Sequence, residues 1–519
     1  RRTLAACDAE GAAILDDWSA DTRAAIERAF TATGKANAAT VFARTTPWLD
    51  RWAAAWQATQ TRACVAHRVS GDLDDELHAR AQDCLADHRG SFAALLTEFA
   101  AADAGTLTRA TPAAAALAAV DGCTDPATLR EREPPSSARR AEVLELRTRL
   151  GRAASLQSAG KFKEGLALAQ EARTAALAGA WPPVIAEAEL RVGYLESQLG
   201  DYAAAEQSLL RALAAAREAR AARPALLGMT QLVYVVGDRG SRFAEGTVWA
   251  EAARTQLVHV AGDVRALAAQ LDHNLALVHH ARSSLDEAQR LNERALAAWI
   301  DLYGEEHPQV AQSLNNLANV RRTRGEHAEA LPLYERSLAI RARTLGEDHP
   351  AVAGSLSNLA VCHKELGRNR EALRLHERAL AIRERALDPG HPDVVESLNN
   401  LAAVHLDLGD HTTALEMYER ALAALASGGS VDMTATILYN VALLHHRQGR
   451  DAEAARDHAR SLELFERLLG EDHPKLTYPL EGLAQSRLRL GEFDEALRMQ
   501  ERALAIREAA LGKDHPSLF

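Results

Sequence analysis

The chain has 519 residues, too many for one compact core, so it must divide into domains or stack internal repeats. Aromatic residues make up only 5% of it, while Ala, Leu, Arg and Glu dominate; that mixture fills helices and lacks the Val, Ile, Thr and ring side chains that β-sandwiches pack. Lys plus Arg number 60 against 71 Asp plus Glu, a net charge of -11 with no basic cluster, which excludes a nucleic-acid backbone as partner.

No apolar run approaches the roughly 20 residues that a bilayer span requires, so no membrane insertion by this chain itself is expected. Arg1 and Arg2 are followed by only a few apolar residues before Asp8 and Glu10, which is not a signal peptide. Residues 1–130 show helical periodicity at 21–31, 47–67, 74–102 and 111–120 without a longer period, and predict a small helical bundle. Trp48, Trp52 and Trp56 recur every fourth residue on the second of these helices and are expected to form a packed seam. Cys7, Cys64, Cys84 and Cys123 all fall in this segment, at spacings that are neither CxxC nor zinc-like. Two disulfides and four small buried thiols both remain open. If oxidised, Cys64 and Cys84 flank the turn VSGDLDD and would pair across an antiparallel hairpin, leaving Cys7 for Cys123.

Residues 131–140 (EREPPSSARR) read as a linker, and a repeat begins at 141. Turn residues fall at Gly160, Gly200, Ser241, Ser283, Gly325, Gly367, Gly409, Gly449 and Gly491, in steps of 40 to 42. His-Pro pairs at His307, His349, His391, His473 and His515 keep the same ruler, with steps of 42, 42, 82 and 42. The 82-residue step is two periods with a connection shortened near Ala426 to Val431. Each unit reads as a helix, a tight turn and a second helix, and the nine units differ in regularity: 141–264 are divergent, 265–519 regular with an incomplete tenth unit at GKDHPSLF. Small residues recur where the paired helices must cross, at Ala276, Ala318, Ala360, Ala402, Ala442 and Ala484 and again at Ala288, Ala330, Ala372, Ala414, Ala454 and Ala496. The expected fold is all-α: an N-terminal helical bundle followed by an α-solenoid, a right-handed superhelix of helix hairpins.

These small positions, the Gly turn and the aromatic of the second helix resemble tetratricopeptide repeats. The longer unit, with LNNLA at Leu314 to Ala318 and Leu398 to Ala402 and a GEDHP ending, is similar to the repeats of kinesin light chains and their bacterial relatives. The opening DDWSADTRAAIERAFTATGK, the stretch TRACVAHRVSG, QDCL, GCTDP and LVYVVGDR resemble the non-kinase half of bacterial serine/threonine kinases of the myxobacterial type. That resemblance implies a ligand- or partner-sensing region on the extracytoplasmic side of a membrane-anchored kinase. A free-standing cytoplasmic adaptor is the alternative, and the state of the cysteines separates the two.

No chemistry is legible. The Gly-rich loop, strand lysine, HRD-type base and DFG-type metal ligand of a kinase are absent from the sequence, as are a P-loop, HExxH and GxSxG. No cofactor or metal is expected. His279, His363, His405 and His445 share one position of the first helix and read as core packing. Asn274, Asn316, Asn358, Asn400 and Asn440 recur once per unit at mid-helix, where Asn is a poor former. Either they bond neighbouring helices, or, as the tetratricopeptide likeness implies, they line a concave groove and bond the backbone of a protein or peptide ligand. Gln312, Asn315, Asn319, Glu396, Asn399, Tyr439 and Tyr478 are their expected neighbours, and Gly482 ends the series.

Overall fold

The computed structural model describes residues 2–131, 134–136, 138–387, 389–426 and 430–511, and the regular structure in them is helical. The residues at the centre of the shortened connection, 427–429, and the terminal GKDHPSLF with His515 lie outside the described residues. Two compact units result, Arg1–Val352 and Ala353–Phe519.

The bundle holds α1 (Arg2–Ala12), α2 (Ile14–Asp17), α3 (Ala20–Ala32), α4 (Ala38–Val65), α5 (Asp75–Ala100), α6 (Ala104–Ala115) and α7 (Pro126–Glu131), with a 3-10 turn at Asp121–Thr124. Its core is aromatic: Trp52 stacks on Phe92 with centroids 4.4 Å apart, and Phe30 meets Phe99 edge-on at 5.7 Å. The indoles of Trp52 and Trp56 donate to the carbonyls of Ala118 and Leu85, both at 2.9 Å, so the tryptophan seam packs as its spacing predicts.

The cysteines pair differently from the expectation. The disulfides are Cys7–Cys64 and Cys84–Cys123. The hairpin turn does not bring Cys64 to Cys84, because α1 returns along the end of α4. Gly11 lies so close to α4 that a Cβ there would be 2.8 Å from the Gln57 carbonyl, and the Thr61 hydroxyl donates to the Cys7 carbonyl at 3.4 Å. Cys64 therefore faces α1, while Cys84 faces the 3-10 turn that carries Cys123.

Nine helix hairpins follow among the described residues. In the first unit they are α8 (Arg140–Ser158) with α9 (Phe162–Gly179), α10 (Pro182–Gln198) with α11 (Tyr202–Glu218), α12 (Ala222–Leu232) with α13 (Phe243–Leu257), α14 (Arg265–Ala281) with α15 (Leu285–Tyr303) and α16 (Pro308–Thr323) with α17 (His327–Leu345). The others are α18 (Pro350–Glu365) with α19 (Asn369–Ala386), α20 (Pro392–Asp407) with α21 (His411–Leu425), α22 (Val431–Arg447) with α23 (Asp451–Leu469) and α24 (Thr477–Arg489) with α25 (Phe493–Leu511). The small residues named above are buried at the crossings of these pairs.

Each hairpin turn is closed the same way. The turn residue is left-handed, from φ 53° at Ser241 to 84° at Gly160. In eight of the nine, the next N–H reaches back five residues, as from Asp410 to His405 at 2.9 Å and from Ser284 to His279 at 2.8 Å. The third hairpin is the exception that its sequence announced. Its first helix ends in a π-helical turn, Val233–Arg239, and the returning bond runs six residues, from Arg242 to Val236. Two glycines make this possible: a Cβ on Gly237 would sit 2.9 Å from the Gly246 Cα, so the two backbones touch.

The next helix begins at His-Pro. The Nδ1 of His307, His349, His391 and His473 accepts from the N–H two residues on, at 3.0 to 3.2 Å, so each imidazole is the N-cap and Pro occupies the first turn. At the shortened connection Ser430 takes the cap.

In the first unit the bundle packs directly on the hairpins. Along α8, Ser155 donates to the Ser91 carbonyl at 3.2 Å, and Lys161 pairs with Glu98 at 3.0 Å. Three connections between hairpins meet the bundle as well. The Ala261 N–H donates to Glu131, the Trp48 ring meets His307 edge-on at 5.6 Å, and the Arg44 guanidinium lies against Gly346.

Candidate functional site

The recurrent asparagine lies nine residues before each turn residue, on the first helix of its hairpin. In the first unit it is spent on the fold. Asn274 is 5% exposed; its amide donates to the Thr230 carbonyl of the preceding hairpin at 2.8 Å and accepts from Gln270 at 2.9 Å. Asn316 is 6% exposed and accepts from Gln312 at 3.1 Å. Gln312 in turn accepts from Arg341 at 2.7 Å, Asn319 accepts from the Tyr334 hydroxyl at 2.6 Å, and Asn315 is buried. Asn274, Gln312 and Asn319 thus fasten helices to one another, and Asn316 bonds within its own helix.

The second unit differs. Asn358, Asn399, Asn400 and Asn440 are all half-buried, so each retains a solvent-facing side. Three of them form a relay across two helices. Asn440 on α22 donates to the Asn399 oxygen on α20 at 2.8 Å, and Asn399 donates to the Asn400 oxygen at 3.4 Å. The relay leaves a donor, Asn400 Nδ2, and an acceptor, Asn440 Oδ1, without a hydrogen-bond partner among the described residues. An amide donor and an amide acceptor left open are the groups that a peptide unit complements.

An aromatic patch adjoins the relay. Tyr439 lies edge-on to Tyr478 at 6.3 Å, and Tyr478 is 58% exposed. Burial, together with Glu481 and Tyr478, holds the Tyr439 hydroxyl above its usual range. Tyr439 also tilts against His458, 5.4 Å away, and His458 explains why the asparagine series stops. Its imidazole, 1% exposed, occupies the space where a Cβ on Gly482 would stand, so no side chain larger than hydrogen fits there. Burial pushes the His458 imidazole down to about 4.

Two expectations change. The four histidines read as core packing divide: His445 is buried and meets Asp457 at 2.9 Å, whereas His279, His363 and His405 are half-buried, His405 meeting Asp410 at 3.2 Å. They sit just before the turn, within reach of a carboxylate beyond it. Sequence reasoning also missed the arginines of the Ala-Ile-Arg triplets. Arg383 is buried and donates to the Asp393 carbonyl at 2.9 Å and the Ser397 hydroxyl at 2.7 Å, with Glu396 at 3.6 Å. Arg341 makes the matching contact to the Ala351 carbonyl at 3.3 Å and donates to Gln312 as well, and burial pulls its guanidinium down to about 10. The signal was the recurrence of the triplet at 339–341, 381–383 and 505–507.

A tetratricopeptide repeat model matches residues 267–343, 310–385, 352–427 and 433–509, and a second one matches 186–218. This is a tetratricopeptide-repeat protein. Among solved structures, it is similar to the kinesin light chain-like repeats of Podosopora anserina, at 26% identity and a TM-score of 0.35 over 40% of this chain and 99% of that one. It is also similar to BtubC of P. vanneervenii, at 26% identity and 0.36 over 46% and 91%. The quorum sensor NprR of B. thuringiensis shares the fold at 14% identity, with a TM-score of 0.52 over 70% of this chain and 98% of that one. No curated protein matches the chain. Among the described residues of this tetratricopeptide-repeat protein, no helix is long and apolar enough to cross a membrane.

Proposed function

We propose that the chain is a non-catalytic interaction module that binds an extended segment of a protein or peptide on the first-helix faces of its second unit. The observation that carries this reading is the amide relay of Asn440, Asn399 and Asn400, with one open donor and one open acceptor beside Tyr439 and Tyr478. Amides bond a backbone without reading its side chains, and the exposed Tyr478 ring supplies apolar contact. Glu396, Asn358 and Tyr478 extend the surface, whereas Asn274, Asn316, Gln312, Asn315 and Asn319 serve the fold of the first unit.

The test is a peptide selected from a displayed random library on the full chain. Replacing Asn399, Asn400 and Asn440 together by Ala should weaken its binding by at least ~10-fold, since two backbone hydrogen bonds of about 1 kcal/mol each are lost, with helicity unchanged. Undiminished affinity in the triple variant refutes the groove assignment.

A finer reading places this module in the extracytoplasmic, sensing half of a bacterial serine/threonine receptor kinase. It rests on the likeness of the bundle segments to that group and on the two disulfides within the bundle. Mass mapping of the chain from its native cell, without reduction, checks it. Oxidised Cys7–Cys64 and Cys84–Cys123 agree with export, and four free thiols favour a cytoplasmic adaptor.

A further inference from the structure

We propose that the bundle contains a redox-gated metal site: once the Cys84–Cys123 disulfide is reduced, Cys84, His88 and Cys123 bind one zinc-like divalent ion. Both sulfurs and one ring nitrogen of His88 lie within 4.8 Å of one another, the one group of three such ligands among the described residues. The placement follows from the fold. Cys84 and His88 are four apart on α5, so they project from one face, and the 3-10 turn at Asp121–Thr124 sets Cys123 against that face. Cys84 and Cys123 are buried in the apolar core of the bundle, and His88 is half-buried beside them. Among the described residues, the other disulfide, Cys7–Cys64, belongs to no such group.

Two thiolates and an imidazole suit Zn2+, and three protein ligands leave a fourth position for water. The exchange balances with a dithiol as reductant. The dithiol gives two electrons and two protons to the sulfur–sulfur bond and becomes a disulfide itself; metal binding then expels the two thiol protons, and His88 contributes a neutral lone pair. A small-molecule disulfide, reduced to two thiols as it takes two electrons from the thiolates, re-forms the Cys84–Cys123 bond and releases the ion. The site is thus filled in a reducing compartment, and the crosslink replaces it in an oxidising one, with Cys84 and Cys123 tying the 3-10 turn to α5 in either state.

Cobalt(II) reports thiolate ligation through a charge-transfer absorption, so it is the probe. The full chain is reduced with a dithiol, freed of it, checked for thiol content by mass, and titrated with Co2+ and then Zn2+, with circular dichroism followed throughout. The expected result is one equivalent of Co2+ with the charge-transfer band, displaced by Zn2+, and no band in the oxidised chain. His88→Ala should weaken Co2+ by more than the roughly 10-fold that loss of an outer-shell partner costs. Cys84→Ser and Cys123→Ser should abolish the band, and the Cys7→Ser, Cys64→Ser double variant should keep it. If reduction loosens the bundle, Zn2+ should restore its helicity in the wild type and not in Cys84→Ser. A reduced chain that gives no band, a band that survives Cys84→Ser, or equal binding by the oxidised chain overturns the proposal.

Discussion

At the scale of single residues, Gly482 and His458 form a matched exception to the asparagine series. The series predicts an amide at 482, and the structure fills that place with an imidazole from the preceding hairpin. Gly482→Asn should therefore destabilise the second unit by about 1–3 kcal/mol, the range for forcing extra atoms into a packed site. His458→Ala in the same chain should recover most of that loss, because the two positions share one volume. Urea midpoints of the two single variants and the double variant test this, and simple additivity would show that the sites are independent. The recurrence of asparagine was legible in the sequence, since the repeat aligns it. Its division into fold-fastening amides in the first unit and half-exposed ones in the second was not, because burial depends on which neighbour each helix meets.

At the scale of elements, what was legible is whatever a repeat demands of every copy. A left-handed turn must recur at one spacing, and helices that cross closely need small residues, so turns and crossings could be placed before any coordinates existed. The cysteine pairing failed for the opposite reason. It depends on α1 returning along α4 and on a short 3-10 turn meeting α5, and neither packing repeats anywhere else in the chain. Where the turn rule is broken, a gain is available. Ser283 holds φ 61° with its side chain exposed, a conformation that penalises any residue with a Cβ. Ser283→Gly removes that strain and costs some unfolded-chain entropy, so it should stabilise by about 0.5 kcal/mol, read as a small rise in thermal midpoint. A fall would mean that the serine hydroxyl contributes more than its backbone loses.

At the scale of the molecule, both disulfides lie in the unit Arg1–Val352 and none in Ala353–Phe519. Reduction in the presence of a chelator should lower the thermal transition of the first unit by the equivalent of about 2–5 kcal/mol and leave that of the second in place. Calorimetry that shows both transitions moving together would contradict this. Acid should weaken both units. Burial pushes His307 and His349 in the first, and His376 and His458 in the second, down to about 4, against the ordinary 6.5. From pH 6.5 to 4 the unfolded chain binds these protons and the folded chain does not, so stability falls across that window and levels off below it. For His307 and His349 protonation also has a local consequence, since a ring protonated at Nδ1 can no longer accept its cap bond. Replacing both by Asn, a cap that does not titrate, should flatten the decline in the first unit, as thermal midpoints at pH 7 and 5 will report. The two ends of a hairpin also have unequal tolerance of change. The turn inside a hairpin is closed by a bond spanning five residues in eight of the nine, whereas the connection between hairpins changes length and exchanges His for Ser as its cap. An affinity tag, a fluorophore or a grafted loop therefore belongs between hairpins, and in the second unit the exposed Gly470–Glu471–Asp472 stretch offers a place for it.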